Sequence, residues 1–196
     1  MGICANPMFS IRLLEPYDSI DGLTGLLHRA YKELADMGFQ YVATYQTPDV
    51  TRVRIQDVEC YVAVAVGLSG DQAIRDTDSS PPNTQHLTPD THSLLGTIAF
   101  HDASRTGGSA WYDLPDVASF HQFAVDPSCQ RMGLGSALLD KVEQRARETG
   151  AREIALDTAE GAHHLIALYE RRGYRYIEHV QWDVTNYRSV IMSKKF

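Results

Sequence analysis

Gly133 and Gly135 lie one residue apart where a helical pattern begins, directly after Gln130 and Arg131. The apolar residues that follow share one helical stripe: Leu134, Leu138, Val142 and Ala146. A helix N-terminus presents about four unpaired backbone N–H groups and a partial positive charge, so it attracts anions. Glycine lets a phosphate approach the backbone there because no Cβ stands in the way. The stretch therefore predicts a phosphate-binding turn.

Two familiar phosphate-binding turns fit these glycines poorly. A P-loop requires Lys followed by Ser or Thr after its last glycine, and no such pair follows here. A dinucleotide turn requires G-x-G-x-x-G directly after a strand, and Leu138 occupies the third glycine position. Asp157 does follow about twenty residues on, where a dinucleotide fold places its ribose-binding acid. A nucleotide-binding oxidoreductase is therefore an alternative, and it would bind NAD.

The elements around the turn read as a mixed α/β chain. Periodicity predicts strands at 9–15, 59–67, 93–101, 117–127, 153–160, 174–184 and 188–196, and helices at 18–38, 47–57, 134–150 and 162–173. Thr47 and Pro48 suit the first turn of the second helix. The polar stretch 70–92 contains three prolines and is expected to be a mobile insertion, with a functional lid as the alternative. We expect one domain over residues 1–196.

Two spaced motifs resemble one enzyme family. QRMGLG at 130–135 is similar to the Q/R-x-x-G-x-G/A signature of the GCN5-related N-acetyltransferases (GNAT), and HLIALYERRGYRYI at 164–177 resembles their A-x-x-L-Y-x-x-x-G-F/Y segment. The last strand, in NYRSVIMSKKF, also resembles theirs. The resemblance implies an α+β domain with a mostly antiparallel seven-stranded sheet. It further implies that the sheet is splayed between strands four and five and carries about four helices.

The resemblance implies acetyl-CoA as co-substrate, bound mainly through backbone groups. The fourth strand would bind the pantetheine arm, and the glycine turn would bind the pyrophosphate. The implied cofactor-binding residues are Phe123, Ala124, Val125, Gln130, Arg131, Met132, Gly133, Leu134, Gly135 and Ser136. Arg131 and Lys141 are candidates for the 3′-phosphate, with charged helix surface as the alternative. Ala162 departs from the family, which often carries a cofactor-contacting Asn there.

The resemblance also assigns catalytic roles. Tyr169 stands where the family places the tyrosine that protonates the departing thiolate, and a phenol with pKa near about 10 is protonated at neutral pH. A core tyrosine is the alternative. His121 is the candidate base, with a structural histidine as the alternative, and strand alternation predicts that His121 and Gln122 face opposite ways. Weaker candidates for the base are Glu59, Glu160 and Asp113.

The acceptor pocket is the least specified part of the site. By resemblance it would use the first helices, the loop after the third strand and the last strand pair. These segments nominate Tyr31, Trp111, Tyr112, Asp113 and Trp182, with packing as the alternative role for each.

Composition limits the classes of partner that the protein is expected to bind. A formal charge of −7 argues against a nucleic-acid surface, and no apolar stretch is long enough to cross a membrane. The N-terminal segment lacks the pattern of a secretory signal. Three cysteines, Cys4, Cys60 and Cys129, provide neither a disulfide framework nor a metal-ligand spacing. We therefore expect a cytoplasmic protein without a metal. The sequence leaves the oligomeric state open, and addition of the last strand pair to a partner's sheet edge is a route to a homodimer.

Together these features predict an N-acetyltransferase that moves an acetyl group from acetyl-CoA to a primary amine of a small molecule or peptide by direct transfer. The alternative is a catalytically silent acyl-CoA-binding sensor that keeps the glycine turn and has lost turnover.

Overall fold

The computed structural model describes residues 9–66, 94–104 and 108–196, so the predicted insertion at 70–92 lies outside the described residues. The strands are β1 (Phe9–Leu13), β2 (Glu59–Ala65), β3 (Leu94–His101), β4 (Val117–Val125), β5 (Glu153–Ala159), β6 (Arg175–Gln181) and β7 (Arg188–Lys195). The α-helices are α1 (Ile20–Asp36), α2 (Val42–Tyr45), α3 (Pro48–Ile55), α4 (Leu134–Glu148) and α5 (His163–Arg171).

The strands form one seven-stranded sheet in the order β1-β2-β3-β4-β5-β7-β6. Every neighbouring pair is antiparallel except β4 and β5, which run parallel. The predicted fold class, a mixed α+β protein with a mostly antiparallel seven-stranded sheet, is confirmed.

The longer helices begin and end close to the residues that the sequence pattern predicts. Thr47 caps α3 by accepting a hydrogen bond from the Val50 backbone N–H at 3.3 Å, and Pro48 occupies its first turn. The described residues contain five α-helices rather than about four. The additional helix, α2, has only four residues, which is too short for a periodic pattern to reveal.

Alternation along the strands gives the sheet two apolar faces. Tyr61 and Ala63 of β2 pack with α4, whereas Val62 and Val64 pack with α1. Leu134, Leu138 and their helical neighbours are almost completely buried under one face, and Leu23, Leu26 and Leu27 are buried on the other. The two helices therefore enclose the central strands from both sides.

The sheet opens between its two parallel strands. β4 and β5 pair through three residue pairs, from Val117 with Glu153 to Ser119 with Ala155, although both strands continue beyond them. The register of β4 against β3 also shifts between Thr97 and Ala99. This opening is the predicted splay between strands four and five.

A β-bulge in β4 changes which way two polar residues face. Gln122 has a positive φ of 51°, and its Nε2 lies 3.3 Å from Nε2 of His121. The prediction that these side chains face opposite sides of the strand is therefore wrong. The left-handed residue interrupts the alternation, as a bulge does when it re-aims a side chain.

Candidate active site

The opening between β4 and β5 contains two cavities that share a wall. The glycine-turn cavity, of about 330 Å³, is lined by Gln130, Arg131 and Gly135 among others. The hairpin cavity, of about 420 Å³, extends to the β6–β7 connection at Trp182, Val184 and Thr185. Both cavities are lined by Tyr31, Tyr41, Phe123, Asp157 and Tyr169. These five residues mark the junction where groups bound in the two cavities would meet.

The glycine turn leads into an uncapped helix. Arg131 and Gly133 both adopt positive φ, of 64° and 83°, and Gly133 is the N-cap residue of the 15-residue α4. No side chain caps this helix, so its first N–H groups and the positive end of its dipole are free to meet an anion. The left-handed conformation at Gly133 favours glycine independently of any ligand.

Six of the predicted cofactor-binding residues line the glycine-turn cavity: Phe123, Ala124, Val125, Gln130, Arg131 and Gly135. The other four do not line it with their side chains. Met132 and Ser136 are exposed, Leu134 is in the core, and Gly133 forms the cap. Lys141 lies with its Nζ 5.1 Å from the centroid of the Tyr61 ring and does not line the cavity.

Tyr169 lies at the junction on α5. Its side chain is buried, with Phe120 and Tyr174 as aromatic neighbours at centroid distances of 6.3 and 5.8 Å. Burial raises the pKa of this phenol well above its ordinary value, so the hydroxyl keeps its proton. Within the described part of the chain its oxygen has no hydrogen-bond partner. The phenol is therefore available as a donor at the point where the cavities meet.

His121 lines the hairpin cavity, but both of its ring nitrogens are engaged. Nδ1 lies 2.9 Å from Nε2 of His101, and Nε2 lies 3.2 Å from the backbone oxygen of Arg54. The side-chain amide nitrogen of Gln122, a donor, also lies 3.3 Å from Nε2, so both ring nitrogens have hydrogen-bonding neighbours whichever of them carries the proton. Burial and the nearby positive charge of Arg54 lower the pKa of His121 well below its usual range. The ring is therefore neutral and has no free lone pair toward the cavity.

Asp157 on β5 lines both cavities and is fixed by two donors. The indole Nε1–H of Trp182 donates to Oδ2 at 2.9 Å, and the hydroxyl of Tyr112 donates to Oδ1 at 3.5 Å. Burial raises the pKa of the carboxyl group. An oriented carboxyl group with a raised pKa is the kind of side chain that can accept a proton from a bound ammonium.

The predicted acceptor residues separate into two groups. Tyr31 and Trp182 line the hairpin cavity. Trp111 and Tyr112 do not. Trp111 packs beside a small core cluster, with the Arg175 guanidinium 5.6 Å from its ring centroid. Tyr112 is buried behind Asp157 and stacks on Trp182 at a centroid distance of 6.4 Å.

The weaker candidates for the base lie away from both cavities. Glu59 forms an ion pair with Arg145 at 2.7 Å, and Glu160 forms one with Arg188 at 2.7 Å. Asp113 is exposed in the connection before β4. None of the three lines either cavity.

Several lining residues were not singled out from the sequence for this site. Asp157 was noted only for its distance from the glycines, and nothing in its spacing links it to Arg54 on α3. Tyr41 is held against β5 because its hydroxyl accepts a hydrogen bond from the Ala159 N–H at 2.9 Å. Tyr187 and His164 also line the cavities. His164 lies two residues after Ala162, the position at which the family often carries a cofactor-contacting Asn.

Neither a metal site nor a membrane-spanning helix is found in the part of the chain that the structure describes. Its His, Cys, Asp and Glu side chains form no group of three or more that is suited to a metal ion. No helix within residues 9–66, 94–104 and 108–196 combines the length and apolar character needed to cross a bilayer.

Comparison with known proteins establishes the family. Residues 53–174, more than half of the chain, match the model of the acetyltransferase (GNAT) family. The chain therefore belongs to this family, as the two motifs predicted.

Curated relatives match over shorter segments. The uncharacterized Bacillus subtilis protein YxbD is 38% identical over 52 residues, covering 26% of this chain and 33% of that protein. A second uncharacterized B. subtilis protein, YdhI, is 34% identical over 83 residues, covering 42% of this chain and 51% of that protein. The matched segments thus span a third to a half of these relatives.

Solved structures share the fold over nearly the whole chain. A GCN5-related N-acetyltransferase from Kribbella flavida superimposes with a TM-score of 0.63 at 17% identity, covering 96% of this chain and 98% of that one. A GNAT acetyltransferase from Elizabethkingia anophelis with acetyl-CoA bound gives a TM-score of 0.55 at 14% identity, covering 97% and 100%. At these identities the likeness concerns the fold.

Proposed function

We propose that this chain transfers an acetyl group from acetyl-CoA to a primary amine. The observation that carries the proposal is the position of Tyr169, a protonated phenol without a partner among the described residues, where the two cavities meet. One cavity begins at an anion-binding helix N-terminus, and the other has polar groups suited to an amine. A thioester and an amine held in these cavities would meet beside the proton donor.

In this proposal acetyl-CoA occupies the glycine-turn cavity. The free N–H groups at the start of α4 bind its pyrophosphate, and Arg131 adds a positive charge near the same turn. On its β5 side, the end of β4 at Phe123 to Val125 has no partner strand and offers backbone groups to the pantetheine arm. The acetyl group would then lie at the junction, where Tyr169 lines both cavities.

The reaction balances as a direct transfer. The ammonium group of the acceptor loses one proton, and the neutral nitrogen attacks the thioester carbonyl carbon to form the C–N bond. The C–S bond breaks, and sulfur leaves with its electron pair and takes a proton from Tyr169. The nitrogen gives up a second proton, which restores the phenol. The products are an amide, free CoA thiol and one proton released to solvent.

Two cavity residues are candidates to accept the first proton. His121 was nominated by the sequence, but its hydrogen bonds engage both ring nitrogens and its pKa is lowered. Asp157 lies closer to the reaction, since it lines both cavities, and its pKa is raised. These contacts favour Asp157 as the base and leave His121 a positioning role beside Arg54.

The proposal is tested by incubating the protein with acetyl-CoA and a panel of primary amines, including small molecules and peptides. Free CoA thiol and the mass of the acetylated amine are both measured. We expect thiol release that depends on the amine, with product in equal amount. Binding of acetyl-CoA without transfer to any amine would contradict the proposal and favour the silent sensor.

A further inference from the structure

The hairpin cavity presents opposite charges on two separate elements. Arg54 lies in the last turn of α3, and Asp157 lies on β5. They are the formally charged residues among its described lining, since burial keeps His121 neutral. The rest of the described lining is aromatic, aliphatic or uncharged polar. Groups of opposite sign in one small cavity are expected to be paired with each other or with a ligand.

Arg54 has no carboxylate partner among the described residues. Its Nη1 donates to Oε1 of Gln46 at 3.3 Å, so most of its five N–H donors have no partner among the described residues, and the residue lines the cavity. The other described arginines without an ion pair, Arg131, Arg147 and Arg171, have exposed side chains, whereas Arg54 is half-buried. Burial lowers the pKa of Arg54, so its charge is poorly compensated.

Asp157 lacks a cationic partner in the same way. Its two oxygens accept hydrogen bonds from Trp182 and Tyr112, and no Lys, Arg or His among the described residues lies within ion-pair distance. Arg54 acts on it only at longer range. The cavity thus holds an uncompensated guanidinium and an uncompensated carboxyl group that do not touch each other.

We infer that the acceptor is a small amino acid-type molecule, whose carboxylate binds Arg54 and whose amine binds Asp157 beside Tyr169. This inference rests on the proposed acetyl transfer and names its substrate class. The ammonium gives a proton to Asp157, and the freed nitrogen attacks the thioester carbonyl as described above. A guanidinium fits a carboxylate through two parallel hydrogen bonds, which would orient the amine toward the junction.

Charge balance favours a carboxylate over a phosphate as the anionic group. One guanidinium offers a single positive charge, so a carboxylate neutralises it, whereas a phosphate dianion would leave excess negative charge in the cavity. A peptide N-terminus has an amide in place of the free α-carboxylate. It would lose the contact with Arg54 and is therefore not the favoured acceptor.

The test compares acceptors that differ only in the anionic group. Free amino acids are assayed beside their carboxamides, their decarboxylated amines, and peptides that begin with the same residue, with kcat/KM obtained from thiol release. Small amines that carry a phosphate are included. Losing a charged hydrogen-bonding pair in a half-buried site costs about tenfold to a hundredfold, so we expect at least one amino acid to exceed its neutral counterparts by that factor.

Variants separate recognition from folding. Arg54→Gln should abolish the preference for the carboxylate, and Arg54→Lys should restore part of it. Arg52→Gln is the matched control, because Arg52 lies on the same helix in an exposed ion pair with Asp49, and it should keep the preference. Asp157→Asn should lower kcat. It should also flatten the fall of kcat at low pH, because the carboxyl group that titrates there is removed. Acetyl-CoA binding is measured for each variant, so that a misfolded protein is recognised.

The outcomes distinguish the two proposals. If only amines without a carboxylate are acetylated, or if the phosphate carriers or peptides are preferred, acetyl transfer stands and the inference on the acceptor is wrong. The inference on the acceptor is also wrong if Arg54→Gln and Arg52→Gln show the same preference for acceptors that carry a carboxylate. If acetyl-CoA itself is not bound, the proposed function fails, and the inference fails with it.

Discussion

Burial has the same consequence for the two residues nominated for catalysis: each is kept in its neutral form. For the phenol of Tyr169 this means a raised pKa and a retained proton, and for the imidazole of His121 it means a lowered pKa and a lost one. The first effect suits a proton donor to a thiolate. The second weakens a proton acceptor, and it explains why the structure shifts attention from His121 to Asp157.

The role of Tyr169 predicts a specific kinetic defect. In Tyr169→Phe the ring is retained while the donated proton is lost, so kcat should fall by about 10²- to 10⁴-fold with little change in acetyl-CoA affinity. Steady-state thiol release and calorimetric titration measure the two quantities. Tyr176→Phe, at a mostly exposed tyrosine, is the control and should behave as wild type. An unchanged kcat in Tyr169→Phe would remove this residue from the mechanism.

His121 predicts a loss of stability in acid. The unfolded chain takes up a proton near about pH 6.5, whereas the folded His121 does not until lower pH, so stability falls as pH drops below that value. The loss is up to about 1.4 kcal/mol for each pH unit until the folded pKa is reached. Denaturant unfolding at several pH values should show a smaller loss for His121→Gln than for wild type. His163→Gln, at an exposed position, is the control and should lose as much stability in acid as wild type.

At the scale of elements, the site depends on two departures from regular structure. The bulge at Gln122 lies on the part of β4 that has no pairing with β5, and the left-handed residue at Gly133 starts α4 with its N–H groups free of a side-chain cap. Both create space or unpaired backbone groups where the cavities lie, and irregular backbone of this kind is commonly found at functional sites.

Gly133 allows the contribution of the turn to binding to be separated from its contribution to folding. In Gly133→Ala the left-handed conformation should cost about 1 kcal/mol of stability, and the displaced N–H groups should weaken acetyl-CoA binding. Gly150→Ala is a matched control at the other end of α4, with a similar φ of 84°. It should lose similar stability and keep its affinity. Equal affinities in the two variants would contradict the assignment of the turn.

At the scale of the whole molecule, the sequence predicts the fold better than it predicts the residues of the site. Periodicity locates all seven strands and the longer helices, and two motifs identify the family, because these signals are local. The bulge at Gln122 has no local signature. Arg54 and Asp157 line the same cavity although about a hundred residues separate them in the sequence, and no spacing rule encodes that proximity.

Some whole-molecule expectations stay predictions. β6 forms one end of the sheet, and Tyr176 on it is mostly exposed, as the predicted pairing with a partner's edge requires. Sedimentation of the purified protein should therefore report a dimer, and a monomer at all concentrations would contradict that prediction. The single-domain organisation and the cytoplasmic location also remain predictions.

Thermal unfolding with acetyl-CoA, CoA or NAD in large excess tests the central claim most directly. A ligand at about a hundred times its dissociation constant adds about 2.7 kcal/mol of stability, a shift of roughly 5 to 10 °C for a chain of this size. We predict such a shift with acetyl-CoA and none with NAD. A shift with NAD and none with either form of CoA would contradict the assignment of the glycine turn and the proposed reaction.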